Sequence, residues 1–359
     1  MNKKASVYVL MIAAFVCMAL VYGRSQQQLL QEKRSQFAPQ SLASTARDSM
    51  DGTPTRRASI DITRPRYIPA REATFMRDDD QVYRMRLNGT EYIYPANILG
   101  FHHVVNDVID GMPLAITLCM LTHSAIAFDA RPEGSTSTLN LGDTRATTFG
   151  NFIMYDKATD MLWQQMTGEL LSNVGARKLS ELYALESTTW AKVKNDAVRV
   201  LAPEKNMASY RDFYSMYSSS TIGLEQLKQK ETPDKRLSPM ELGFGISIHD
   251  AARFYPFAAL SKDRATNDVL GGWALVILYD EKYELFRIFR RYYRERVLTF
   301  EEHGSDIIDK ETHSTWNAEG EAVSGPLRGA VLSSPEYREA YWFAWSAFFP
   351  TTDIFSNSS

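Results

Sequence analysis

Four residues carry side chains whose types and spacing suit chemistry. Cys119 stands four residues before His123 in "CMLTHSA", and the pair His102-His103 lies upstream in "LGFHHVVND". On a strand, positions 119 and 123 share one face because side chains alternate with a period of two. Three readings of this cluster are open. His102, Cys119 and His123 could hold copper(I) or zinc, which accept thiolate and imidazole. Alternatively Cys119 could be a nucleophile, with His102 or His123 as base and Asn106 or Asp107 as orienter; that requires a lowered thiol pKa. In the third reading Cys119 is a small hydrophobe in a buried strand, where free cysteines are most often found. His103, Asn106, Asp107, Asp156, Trp163 and Gln165 are further candidates for lining a pocket. The stretch "YRDFYSMYSSS" (210–220), aromatic and polar, reads as a loop over a cleft. "FRIFRRYYRER" (286–296) reads as one solvated edge of a strand or helix.

Only one of these thiols lies in the body of the chain. Cys17 falls in an unbroken apolar run from Ala5 to Tyr22, preceded by Lys3 and Lys4. A basic tip and an apolar run of this length predict a retained signal anchor at 1–23, with cleavage after Gly23 as the alternative. The body is then expected outside the cytoplasmic membrane, in the periplasm, held by the N-terminal helix or secreted if cleaved. No intramolecular disulfide is available to it. With 359 residues, 44% of them hydrophobic and 12% aromatic, the chain can bury a sizeable core. A net charge of −3 gives no bulk field for nucleic acid.

The elements that must position the candidates follow from pattern. Residues 24–77 read as a polar linker rich in Gln, Ser, Arg and Thr. "VYRMRLNGTEYIYP" alternates about Asn88-Gly89, a strong hairpin signal. "MPLAITLCMLTHSAIAFD" is a long apolar β-type run, "TTFGNFIMYD" a further strand, and Thr188 to Lys194 a short helix. The strongest organisational signal is an internal repeat. "YPANILGFHHVVNDVIDGMPLAITLC" (94–119) aligns without gaps on "YPFAALSKDRATNDVLGGWALVILYD" (255–280), nine of 26 positions being identical, where chance would give roughly one or two. The body is therefore expected as two related halves, 78–200 and 241–359, joined by 201–240 with its three prolines. The predicted class is α+β, strand-rich, with the halves packed in a pseudo-two-fold relation. Shared residues such as Asn106/Asn267 and Asp107/Asp268 are expected to be structural. Cys119 aligns with Asp280, His102 with Asp263, His103 with Arg264 and His123 with Glu284, so the candidate chemistry sits in the first half alone.

The block 94–129 also resembles the hallmark segment of a bacterial family of unknown function, family 3179. Its members typically read Tyr-Pro, then Trp-His-x-x-Val-Asn-Asp, a Gly-x-Pro, then Cys-Pro-Leu-Cys, a small residue and Ser. "FIMYDKATDMLWQQMTGEL", "TTWAKV" and "YWFAWSAFFPTTDIF" look like the same family, over about residues 75–355. The resemblance implies an exported or anchored protein and a site location, with no settled reaction. By position the family histidine falls on His102 and the first cysteine on Cys119. The second cysteine falls on Thr122, which removes dithiol chemistry. His123 and Met120 are then the groups that could complete a copper or zinc ligand set, unless this copy has lost its site and serves as a non-catalytic scaffold. A cysteine- or metal-dependent enzyme is the other alternative.

Overall fold

The computed structural model describes residues 60–131, 136–141, 147–171, 178–179, 181–196, 198–218, 220–228, 232–260 and 263–356. All lie in the second of two compact units, 46–359. The expected anchor, 5–22, lies outside the described residues, and no described helix is long and apolar enough to cross a membrane. The expected linker boundary at 77 is too late. Residues 60–77 already pair with the body: Asn106 donates its backbone N–H to Ile62 O, and Lys157 Nζ meets Asp61.

The chain opens with β1 (Tyr67–Pro69), then the hairpin β2 (Gln81–Leu87) and β3 (Thr90–Pro95). Its turn sits on Asn88 and Gly89, both with positive φ, as the sequence requires. Pro95 ends the strand and caps α1 (Ala96–His102), which His103 terminates at φ 60°. β4 (Val104–Ile109), β5 (Met112–Cys119) and β6 (Ser124–Asp129) form a meander. β7 (Leu139–Leu141), β8 (Thr147–Thr148), β9 (Asn151–Asp156) and β10 (Leu162–Gln164) make a small sheet. β11 (Glu181–Ala184) joins the meander through β6, and β12 (Glu186–Thr189), α2 (Trp190–Val193) and β13 (Val198–Leu201) complete the first half. Two helices cross the connecting segment, α3 (Met207–Tyr217) and α4 (Ile222–Lys228). Asn206 caps α3, its side chain accepting from Ala208 N. The stretch read as a loop over a cleft is thus mostly helix.

The second half holds β14 (Leu242–Ile248), β15 (Ala251–Pro256), β16 (Ala265–Leu270), β17 (Trp273–Asp280) and β18 (Leu285–Arg290). It continues through β19 (Tyr292–Tyr293), β20 (Arg296–Val297), β21 (Phe300–His303), β22 (Asp306–Asp309), β23 (Thr315–Trp316) and β24 (Ala322–Ser324). β25 (Tyr337–Tyr341), α5 (Trp342–Phe348) and β26 (Asp353–Ile354) close it. The class is α+β and strand-rich, built from several small sheets.

The pairings follow one order twice. In the first half β12, β2, β3 and β13 lie side by side, the last pair parallel. In the second, β25, β14, β15 and β26 do the same, again with a parallel last pair. The meander β4-β5-β6 likewise has β16-β17-β18 as its counterpart. Glycines at 111 and 272 supply the positive φ of each first meander turn. Each half has its own core: Tyr83, Tyr94, Ile98, Ile116 and Leu118 in the first, Phe244, Tyr255, Leu275 and Ile277 in the second. Between them, Val82, Ile93, Trp190 and Val200 pack against Tyr283 and Leu285. A chain of charges spans the same seam: Arg84 binds Glu91 and Glu186, and Arg287 binds Glu186 and Asp280. Arg287, expected on a solvated edge, is 4% exposed.

Candidate functional site

The turn Met120–His123 joins β5 to β6 and ends on His123 with φ 55°. That left-handed turn lifts His123 away from the packed strand end. Its Nε2 lies 2.9 Å from Glu339 Oε1 on β25, so the pair bridges the two halves. A carboxylate only accepts, so Nε2 carries a proton and donates it to Glu339. Nδ1 makes no hydrogen bond among the described residues.

His123 lines a cavity of about 480 Å³ together with Gln81, Asn97, Arg211, Tyr214 and Tyr341. β2 supplies Gln81, α1 Asn97, α3 Arg211 and Tyr214, and β25 Tyr341. Tyr214 donates its hydroxyl to Gln81 Oε1 at 2.5 Å, and Gln81 Nε2 donates to Ser187 Oγ at 2.8 Å. Burial, with Tyr341 and Glu339 nearby, holds the Tyr214 phenol well above its ordinary pKa. Tyr341 is raised by burial too, so both are hydroxyl donors at neutral pH. Arg211 clamps both oxygens of Asp80 and reaches Phe75 O. The buried Asn97 Oδ1 has no hydrogen-bond partner among the described residues.

Of the expected metal ligands only His123 reaches this cavity. His102 is fully engaged: Nδ1 donates to Ile60 O, and Nε2 accepts from Tyr210 OH at 2.9 Å. Burial lowers its pKa and keeps the ring neutral. Cys119 packs with Val104, Ala115, Phe128 and Phe152 and is 3% exposed. Burial pushes its thiol pKa up, against the needs of a nucleophile. The copper or zinc set His102, Cys119 and His123 is therefore not assembled, and no three His, Cys, Asp or Glu among the described residues form a metal group. His102, at the end of α1, bonds Tyr210 of the first core, whereas Cys119, at the end of β5, packs in a separate cluster, a division that residue spacing along the chain does not reveal.

The other expected pocket residues serve the fold. Asn106 Nδ2 donates to Leu139 O and its Oδ1 accepts from Leu139 N, stapling β4 to β7. Asn267 makes the same two bonds to Phe300. Asp107 accepts from Tyr67 OH and Val108 N, as Asp268 does from Tyr255 OH and Val269 N. Both first-half residues border a separate open recess near Arg64. Asp156 caps its own turn through Ala158 N and Thr159 Oγ1. Trp163 is 1% exposed in the core behind β9. His103 stacks edge-on against Phe152, and burial pushes its pKa down to about 4. Gln165 belongs to a closed network: it donates to Thr117 Oγ1 and accepts from Ser124 Oγ and Asn151 Nδ2. Asn151 Nδ2 also donates to Thr122 Oγ1, so the second cysteine position of the resemblance is a hydroxyl inside that network.

Sequence reading missed Gln81, Asn97, Tyr214, Tyr341 and Glu339. Only the aromatic-polar composition of 210–220 pointed toward a cleft. The remainder converge from strands and helices far apart in the chain.

The family described as "Protein of unknown function (DUF3179)" matches residues 59–352. No curated protein and no solved structure matches the chain.

Proposed function

The chain belongs to the DUF3179 family, and from that premise we propose that it is an extracytoplasmic binding protein, held by an N-terminal anchor at 5–22. Its ligand is a small, uncharged, multiply hydroxylated molecule bound in the His123 cavity. One observation carries the reading: the inner charges of this cavity are paired, Arg77 and Asp79 of opposite sign stand at its exposed mouth, and neutral groups are left inside for a ligand. Arg211 is taken by Asp80 and Glu339 by His123. Asn97 Oδ1, His123 Nδ1 and the Tyr214 and Tyr341 hydroxyls then offer acceptors and donors to a ligand that brings no charge. The volume, about 480 Å³, lies in the range of small-molecule sites. The lysines and apolar run at the N-terminus support the anchored, periplasmic placement. The paired strand orders support two copies of one unit, packed about a pseudo-two-fold axis, with the cavity at their junction. Chemistry through Cys119 does not fit a buried, raised thiol.

Isothermal titration of the full-length chain with hexoses and other polyols tests this. Saturable binding is expected, weakened about tenfold by Asn97→Ala and by Tyr214→Phe, the loss of one buried hydrogen bond. Binding of amino acids or inorganic anions in place of polyols would overturn the reading.

A further inference from the structure

A second cavity, of about 430 Å³, opens on the other side of the Gln81–Ser187 and His123–Glu339 contacts. Leu185, Glu186 and Ser187 of the first half wall it on one side, and β14, β18 and β25 on the other. Its wall is a continuous run of rings. Tyr337 lies 5.6 Å from Phe244, Phe244 5.7 Å from Phe257, Phe257 5.9 Å from Phe286, and Phe286 4.9 Å from Tyr279. Phe244 is buried, whereas the other four rings are only half-buried and border the cavity. Aromatic surface left half-open around such a volume is free to be covered by a ligand.

The charges at the rim choose the ligand. Glu186, Glu284 and Glu339 face it against the single guanidinium of Arg338. Glu186 is held by Arg84 and Arg287 and Glu284 by Lys192, but Glu339 is engaged through Oε1 only, and its Oε2 makes no hydrogen bond among the described residues. Ring faces carry negative potential and attract cations, most strongly where water is excluded. An anion would meet carboxylates at the rim and an aromatic wall. We infer that this cavity binds an organic cation, an amine or quaternary ammonium on an apolar body, with the cationic group between the rings and Glu339. The site is separate from the polyol cavity, takes a different probe and stands without it.

The test is titration calorimetry of the full-length chain with benzyltrimethylammonium, against 3-phenylpropionate as an anion of similar size. Saturable binding of the cation is expected, at least about tenfold tighter than the anion. Phe257→Leu and Phe286→Leu, which keep apolar bulk and remove the π face, should each weaken it about fivefold. Glu339→Gln should weaken the cation and spare or strengthen the anion. Absent cation binding, a tighter anion, or affinity unmoved by Phe257→Leu and Phe286→Leu would each overturn the inference. Phe257 and Phe286 are both half-buried, so one variant suffices if the other fails to fold.

Discussion

Two strand ends at matching positions in the two sets of strands carry opposite chemistry. β5 ends on Cys119, sealed among Val104, Phe128 and Phe152. β17 ends on Asp280, which accepts from Arg287 Nη1 at 2.6 Å and from the N–H groups of Lys282 and Tyr283. The turns that follow share a backbone: His123 and Glu284 have φ of 55° and 54°. Yet His123 faces Glu339 inside the molecule, and Glu284 meets Lys192 at the surface. The same local geometry thus presents a half-buried imidazole in one half and a solvated charge in the other. What differs is the neighbour across the seam, so position relative to the other half has set the chemistry of each turn.

Removing Arg287 should break that arrangement most severely. Asp280 is 6% exposed, and it and Glu186 would lose the guanidinium that compensates them. Arg287→Met is expected to cost about 3–5 kcal/mol in urea unfolding. A loss under about 1 kcal/mol would mean that the seam charges do not hold the halves together.

The shared asparagines test the likeness instead of the divergence. Asn106 and Asn267 each close a pair of backbone bonds, to Leu139 and to Phe300. Asn106→Ala and Asn267→Ala should each cost about 1–3 kcal/mol, because a backbone donor and acceptor are left without partners. The loss at Asn106 is expected to be the larger, because its amide also donates to Asp61 Oδ2. A large effect at one site alone would show that only one half still depends on the clamp.

Histidine pair 102–103 has no counterpart in the second half, and its effect is on pH. Burial lowers the His103 pKa from 6.5 to about 4, and lowers that of His102 in the same direction. Between those values the unfolded chain takes a proton that the folded ring refuses. The stability these rings contribute is complete above about pH 6.5 and is lost as pH falls toward 4, by roughly 2 kcal/mol for the half-buried His103. His103→Asn, which tolerates the positive φ there, should flatten that slope in urea midpoints measured from pH 7 to 4.5. An unchanged slope would place the acid sensitivity elsewhere.

Much of the fold was legible because it is written in local pattern. Asn88-Gly89 named its hairpin, and the gapless alignment of 94–119 on 255–280 matched strands that do pair alike. The shared Asn-Asp pairs make the same bonds in both places. The site was not legible beyond His123. Glu339 is 216 residues away from it in number (339 − 123), and the two meet only because β25 and β6 come together across the halves. Nor could sequence place Cys119 and His102 on different cores. Strand alternation fixes which residues share a face, but which face each core claims depends on what packs there.

Cys119 itself gives the smallest expected effect and the sharpest contrast with Asp280. Its Sγ lies 3.9 Å from Gly150 O, a weak contact in an otherwise apolar setting. Cys119→Ala removes one buried sulfur and should cost about 1 kcal/mol, far less than breaking the charges at 280. Alkylation tells the environment directly. Iodoacetamide at neutral pH should leave the peptide carrying Cys119 unmodified in the native chain and label it readily in guanidinium, as read by mass spectrometry of that peptide. The native rate then follows the opening of the core, and its logarithm should rise in Arg287→Met in proportion to the stability lost, if the two halves unfold as one cooperative unit. Rapid labelling of the folded chain would return this cysteine to the candidates for chemistry. A native rate indifferent to Arg287→Met would mean instead that the first-half core opens on its own, and that the seam couples the halves less than their shared charges suggest.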